Sequence, residues 1–397
     1  MMPSTDTAAA TTRAPGPIPP PLGLYVHLPW CVRKCPYCDF NSHAVRGGVP
    51  VDDYLDALFR DADGEQQIAG ARPVETVFIG GGTPSLFPPE AIARLLDGLR
   101  PTLNIRDDAE ITLEANPGTV ETERFAGFRE AGVNRLSIGV QSFHAVHLRR
   151  LGRIHGPDEA VAAAKSARAA GFERFNLDLM YALPGQSVAE AVADVDRAID
   201  LGARHVSHYQ LTLEPGTAFH ARPPALPDDD TAAEMQDACA ERLENAGLAR
   251  YEISGWAAPG ETCRHNLNYW TFGDYLALGA GAHGKVTLPE GIHRYSKVRL
   301  PRLFMAAAGT EKATDSWQRV PVNELPLEFM MNALRLTAGV PRRYAVERTG
   351  LPWSSFAAAV ADAVARGWLE PSEDRLRPTA RGLDFLNDLL AGFMPAS

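Results

Sequence analysis

The chain has 397 residues, 45 % of them hydrophobic and 22 % charged, and 39 Lys and Arg stand against 49 Asp and Glu for a net charge of −10. That length suits about two domains with a sizeable core, and the acidic balance argues against nucleic acid or an anionic membrane surface as partner, since both reward clustered basic residues. No apolar run reaches the length of a membrane-spanning helix, so no integral membrane segment is expected.

Residues 1–21 are rich in Ala, Thr and Pro, carry one Arg and lack an apolar stretch of signal-peptide length. They are expected to form a disordered tail outside the fold. Residues 22–255 then alternate short apolar runs (24–28, 76–79, 111–114, 135–140, 175–179 and 206–213) with amphipathic stretches (51–63, 88–99, 121–131, 157–170, 187–201 and 230–246). Such alternation argues an α/β fold with a parallel sheet and right-handed crossovers, and about six repeats fit a partial (β/α)6 barrel better than a closed eight-fold one. Ligands sit at the carboxyl ends of strands in such sheets. Glu114, Asn116, Gln141, Asp178 and Gln210 fall at or just beyond the ends of apolar runs.

Residues 256–325 read as a connecting region, and residues 326–392 as a small helical, winged-helix-like domain with helices at 327–336, 341–349, 353–366 and 379–390. Residues 340–382 hold seven Arg and five acidic residues, too even a balance for a DNA-binding surface.

Cys31, Cys35 and Cys38 form a C-x3-C-x2-C triplet. A 4Fe-4S cube takes a thiolate on each iron, so three cysteines leave one iron open to another ligand. Structural zinc is the competing reading, but it takes four ligands, usually in C-x2-C pairs, and His43 has no paired partner. Five cysteines in all, sparse and odd in number, suit a reducing, cytoplasmic compartment better than a disulfide scaffold. Gly80, Gly81 and Gly82 follow the second apolar run, where consecutive glycines let the backbone approach a ligand and let N–H groups converge on a carboxylate.

Taken together, the cysteine triplet and the glycine run resemble the radical S-adenosylmethionine (SAM) superfamily. Membership implies that SAM chelates the open iron through its amino and carboxylate groups, and that the reduced cluster cleaves it to a deoxyadenosyl radical. The stretches YVHLPWC ending at Cys31, GGGTPS from Gly80, EANPG from Glu114, GVQSF from Gly139, LGRIH from Leu151 and NLDLM from Asn176 narrow the resemblance. They point to the oxygen-independent coproporphyrinogen III oxidase-like family, which includes a dehydrogenase branch and a heme chaperone branch. By that similarity Tyr25, Tyr37, Gly81, Gly82, Thr83, Glu114, Gln141, Arg153 and Asp178 would line the SAM pocket. Chemically, Glu114 suits an ammonium or a ribose hydroxyl, Arg153 a carboxylate gripped by its fork, and Asp178 ribose hydroxyls.

Two features separate the branches. The dehydrogenase carries a further cysteine two residues after the third, where this chain has Phe40, and it has a longer ordered N-terminal segment. Both departures argue against porphyrinogen decarboxylation, and no catalytic residue is assigned. The chaperone branch carries an HNxxYW motif, matched here by His265, Asn266, Tyr269 and Trp270. Imidazole is a usual heme ligand and aromatics stack on porphyrin faces, so these four are the expected heme-binding set, with His283 and Cys263 as alternative iron ligands. The resemblance implies heme and an acceptor protein as partners and allows a dimer. A literal GxGxxG at Gly279, Gly281 and Gly284 opens no helix and lies in no βαβ unit, which argues against a dinucleotide site.

Overall fold

The computed structural model describes residues 17–118 and 122–395. Residues 1–16 of the expected tail lie outside these. Its last residues are fixed to the fold: the Ile18 N–H donates to Glu347 O (2.7 Å), Arg72 Nη2 to Pro20 O (2.6 Å) and the Asp274 N–H to Pro21 O (3.0 Å).

Each apolar run forms a strand and most amphipathic stretches a helix of similar extent. In chain order they are β1 (Leu22–Leu28), α1 (Val51–Ala69), β2 (Val74–Gly81), α2 (Pro89–Thr102), β3 (Ile105–Ala115), α3 (Thr122–Glu130), β4 (Arg135–Gln141) and α4 (Pro157–Ala169). Then come β5 (Phe175–Tyr181), α5 (Val188–Asp200), β6 (His205–Gln210) and α6 (Asp229–Asn245). The strands are apolar along their length because helices cover a parallel sheet; every residue of β4 is buried. The helices start where local chemistry provides for free N–H groups. Ser187 caps α5 by accepting from the Glu190 N–H, and the Glu190 carboxylate returns to the Ser187 N–H at 2.8 Å.

Strands β1 to β6 pair in parallel in sequence order. The segment 256–325 then does more than connect. After β7 (Ala249–Arg250) and β8 (Gly255–Ala257) comes the short helix α7 (Arg264–Trp270), followed by β9 (Asp274–Leu278), β10 (His283–Leu288), β11 (Gly291–Lys297) and β12 (Thr314–Arg319). β9 pairs in parallel with β1, adding a seventh parallel strand on that side, and β10 to β12 extend the edge antiparallel. Among the described residues the sheet has twelve strands, ordered β12-β11-β10-β9-β1-β2-β3-β4-β5-β6-β8-β7. Tyr54 of α1 locks the new strand in place: its fully buried hydroxyl donates to His27 O and accepts from the Ala280 N–H, both at 2.8 Å.

The C-terminal part builds a second core around Phe329, Phe356, Leu376 and Leu389. Helices Leu325–Ala333, Arg343–Thr349 and Ser354–Ala365 surround it, and Val340–Pro341 pairs antiparallel with Arg375–Leu376 as a small wing. This core also takes Phe272 and Ile292 from the sheet side, which presses the small domain onto the α7–β9 corner.

Candidate cofactor site

A cavity of about 510 Å³ opens at the carboxyl ends of the parallel strands. It is lined by all three clustered cysteines and by Tyr37, Gly81, Gly82, Thr83, Glu114, Gln141, Arg153 and Asp178. Residues scattered over about 150 positions of sequence therefore converge because each ends, or follows, a strand of one sheet. The cysteine loop itself is closed by a parallel pairing of Trp30–Cys31 with His43–Ala44, and Trp30 packs edge-on to Tyr54 with ring centres 4.7 Å apart.

Outer residues orient the thiols. The Thr83 hydroxyl donates to Cys31 Sγ (3.6 Å), Ser42 Oγ lies 3.8 Å from Cys38 Sγ, and Arg153 Nη1 donates to Cys35 Sγ (3.8 Å). Burial raises the Cys31 and Cys38 thiols above their ordinary range, opposed by those two hydroxyls. Bound iron would favour the thiolate form against that burial. All three thiols line one cavity, where three thiolates would hold three irons of a 4Fe-4S cluster.

The glycine run works by close approach. A Cβ on Gly82 would lie 2.5 Å from Trp30 O, and Gly81 has φ +119° with the His27 ring 2.7 Å from where its Cβ would stand. The expected convergence of N–H groups on a carboxylate does not occur. The Gly81 N–H donates to Glu114 Oε2 (3.0 Å), that of Gly82 to Leu28 O (2.9 Å) and that of Thr83 to Trp30 O (2.7 Å). Arg153 also lines the cavity, with Nη2 donating to Asn116 Oδ1 (2.5 Å) and Gly139 O (2.6 Å) and Nη1 to Cys35 Sγ, while its buried Nε has no hydrogen-bond partner among the described residues.

The acids remain available to a ligand. Burial, with the neighbouring Asp178 carboxylate, pushes the Glu114 carboxyl up to about 8. Asp178 is also raised by burial, against hydrogen bonds from Asn176 and Ser137 that favour its charged form. Gln141 sits in the left-handed region at φ +70°, with Oε1 accepting from Tyr209 OH (2.8 Å); such backbone is held only where the surroundings demand it.

Tyr25 is the exception within the expected pocket set. Its hydroxyl bonds His27 Nδ1 (2.9 Å), its ring stacks on Phe78, and it lines a neighbouring cleft of about 690 Å³. The HNxxYW motif divides between the two spaces: Asn266 faces the cavity, Tyr269 the cleft, and Trp270 both. His265 faces neither. It is 1 % exposed, stacked on Phe78, with Nδ1 bonded to Thr76 Oγ1 and Nε2 to Tyr269 OH, each at 2.8 Å. Burial lowers its pKa to about 3, so it is a neutral core histidine. Both ring nitrogens are thus engaged within the protein, and ligation of heme iron by His265 would require one of these hydrogen bonds to break. Cys263 is likewise sealed at 0 % exposure, its thiol donating to Glu110 Oε1. His283 is exposed on the cleft.

Asn116, expected with the other strand-end residues at the mouth, lines the cavity, its amide donating to Thr83 Oγ1 (2.8 Å) and accepting from Arg153. Two further cavity residues were not legible as such. Arg135 is 3 % exposed with Nη2 unpartnered among the described residues, a buried cation suited to an anionic ligand group. Arg335 reaches in from the C-terminal domain, its guanidinium 4.3 Å above the Trp270 ring and 3.3 Å from Glu252. A boundary position inside an apolar run and a residue from another domain carry no local signal of such a role.

Comparison with known proteins agrees with this geometry. Residues 25–198 match the radical SAM superfamily and residues 320–385 the HemN C-terminal domain. The chain is 51 % identical to the heme chaperone HemW of Escherichia coli, covering 94 % of this chain and 98 % of that one. It is 46 % identical to the Haemophilus influenzae protein of the same name, covering 94 % and 98 %. Among solved structures it resembles the coproporphyrinogen III oxidase of Escherichia coli, with TM-score 0.79 and 22 % identity over 96 % of this chain and 91 % of that one, a likeness of fold. With two cofactor-lining elements, the cysteine loop and the strand ends, arranged as that superfamily requires, the chain belongs to the HemW heme chaperone family of radical SAM proteins.

Proposed function

We propose that this protein is a heme chaperone: it binds heme, carries a 4Fe-4S cluster with SAM on the open iron, and passes the heme to an acceptor protein in the cytoplasm. The observation that carries the reading is near-full-length identity to the chaperone relatives. Phe40, standing 57 % exposed where the dehydrogenase branch has its extra cysteine, supports it. When bound, the cluster supplies one-electron chemistry to SAM. The chain's own residues do the rest: Gly81 and Gly82 bring the backbone close, Glu114 offers an acceptor to the amino N–H of SAM, Asp178 one to ribose hydroxyls, and Arg153 with Thr83 orients the cysteines. The cluster's part is a gate on heme transfer.

The test is an anaerobic transfer assay. Heme-loaded protein, with and without reconstituted cluster, is mixed with a heme-free acceptor hemoprotein and the acceptor's Soret band is followed. Transfer from the clustered form alone is expected. Conversion of coproporphyrinogen III to protoporphyrinogen IX at a catalytic rate would replace this reading with the dehydrogenase one.

A further inference from the structure

The cleft beside the cofactor cavity has the composition of a porphyrin site. It holds about 690 Å³ between β1, α7, β9 and β10, and its walls include Phe40, Tyr269, Trp270 and Tyr275. Flat aromatic walls suit a macrocycle. Tyr269 and Tyr275 meet edge to face with ring centres 4.4 Å apart, and Tyr269 is held by the His265 ring nitrogen. His265 thus acts on this cleft as a positioning residue, through the tyrosine it anchors. The indole N–H of Trp270 is buried without a hydrogen-bond partner among the described residues, and Arg299 stands exposed in the cleft lining, where a guanidinium suits a propionate. Asp39 and Asp315 share the lining.

Two imidazoles line this space. His27 has both nitrogens engaged, Nδ1 by Tyr25 OH and Nε2 by Asn41 O, each at 2.9 Å. His283, the first residue of β10, is exposed, and among the described residues its imidazole makes no hydrogen bond. On the reading that the protein binds heme, we propose that His283 is the iron ligand and that the HNxxYW segment supplies the porphyrin wall instead of the ligand. A neutral imidazole nitrogen donates its lone pair to the iron, and no proton or electron needs to move.

Phe40 and Trp270 line both spaces. Heme in the cleft would rest against the same two side chains that close the cluster cavity, which gives a physical route by which cluster occupancy acts on heme release.

The experiment is an anaerobic hemin titration of the full-length, cluster-reconstituted protein, read by Soret absorption and electron paramagnetic resonance. Wild type, His283→Ala, His283→Gly with added imidazole, and His265→Ala are compared. Wild type should saturate at a stoichiometric ratio. His283→Ala should shift the Soret band and bind more weakly; loss of outer-shell partners alone costs about 10–100-fold in metal affinity, so loss of a ligand should cost at least about tenfold. Imidazole should restore the spectrum of His283→Gly, and folded His265→Ala, checked by circular dichroism, should keep the histidine-ligated electron paramagnetic resonance signature while binding hemin more weakly, because Tyr269 loses its anchor. An unchanged spectrum and affinity in His283→Ala overturns the assignment while leaving the chaperone reading intact. Failure of the wild type to saturate removes both.

Discussion

Arg153 Nη1 lies 3.8 Å from Cys35 Sγ, and through this one contact two cluster cysteines become members of a single hydrogen-bonded run. From Arg153 the run passes to Asn116, from Asn116 to Thr83, and from Thr83 to Cys31 Sγ. The strand ends of β2 and β3 and the loop after Ala145–Arg150 therefore all act on the same pair of thiols. Such outer-shell partners fix ligand orientation and favour the thiolate. Arg153→Met should shed iron to a chelator about tenfold faster than wild type, by analogy with other outer-shell losses. Loss of the charge-transfer absorbance near the visible edge over time is the readout. An unchanged rate would show that the run is packing alone.

Glu114 gives a pH signature. Its carboxyl is raised from an ordinary 4.5 to about 8, first by burial and then by Asp178. The folded-state value lies above the unfolded one, so the protonated group contributes stability that is fully present below about 4.5 and lost as pH rises through about 8. Glu114→Gln should flatten that part of the melting-temperature profile and exceed wild type at pH above 8. The amino group of SAM must lose its proton to hold iron, and Glu114 accepts from it best as the charged carboxylate, so SAM binding at neutral pH should release protons. Calorimetry in buffers of different ionisation heat measures it.

His265→Ala separates stability from ligation. The substitution removes a buried ring and strands the Thr76 hydroxyl and the Tyr269 hydroxyl. Unsatisfied buried groups cost about 1–3 kcal/mol each, and a loss of about 3 kcal/mol is expected in urea unfolding. A variant as stable as wild type would contradict the packing described for α7.

Arg335 tests the coupling of the two domains. It pairs with Glu252, 5 % exposed, and covers Trp270. Arg335→Ala leaves a carboxylate buried without its cation and should cost about 2 kcal/mol, less than a fully buried pair because the guanidinium is partly solvated. Combining it with Glu252→Gln should recover part of the loss, since the stranded charge is then gone. Additive losses in that cycle would mean the two side chains do not interact.

Cys31, Cys35 and Cys38 should account for all protein thiolates on iron. Cys239 lies within α6 and Cys263 against Glu110, both at 0 % exposure. Cys239→Ser and Cys263→Ser should retain about four irons and four sulfides per chain, whereas Cys31→Ser, Cys35→Ser or Cys38→Ser should lose most of both. Iron and acid-labile sulfide assays decide it.

The strands β1 to β6, their order and the cysteine triplet were determined by the sequence itself. Buried parallel strands must be apolar along their whole length, and three thiolates on one short loop have few uses other than a metal. Polar residues at the ends of those runs, such as Glu114 and Asp178, were legible for the same reason: strand ends of one parallel sheet share a mouth. What spacing could not carry was which way each side chain faces once distant segments pack. β9 joins beside β1 because its run fits the open sheet edge, a pairing across some 250 residues. His265 turns inward and bonds Thr76 and Tyr269, Arg153 gives Nη2 to Asn116 and Gly139, and Tyr25 lines the neighbouring cleft. Those outcomes depend on hydrogen-bond partners brought from other strands, and only the tertiary structure decides which polar atom is satisfied within the protein and which is left to meet a ligand.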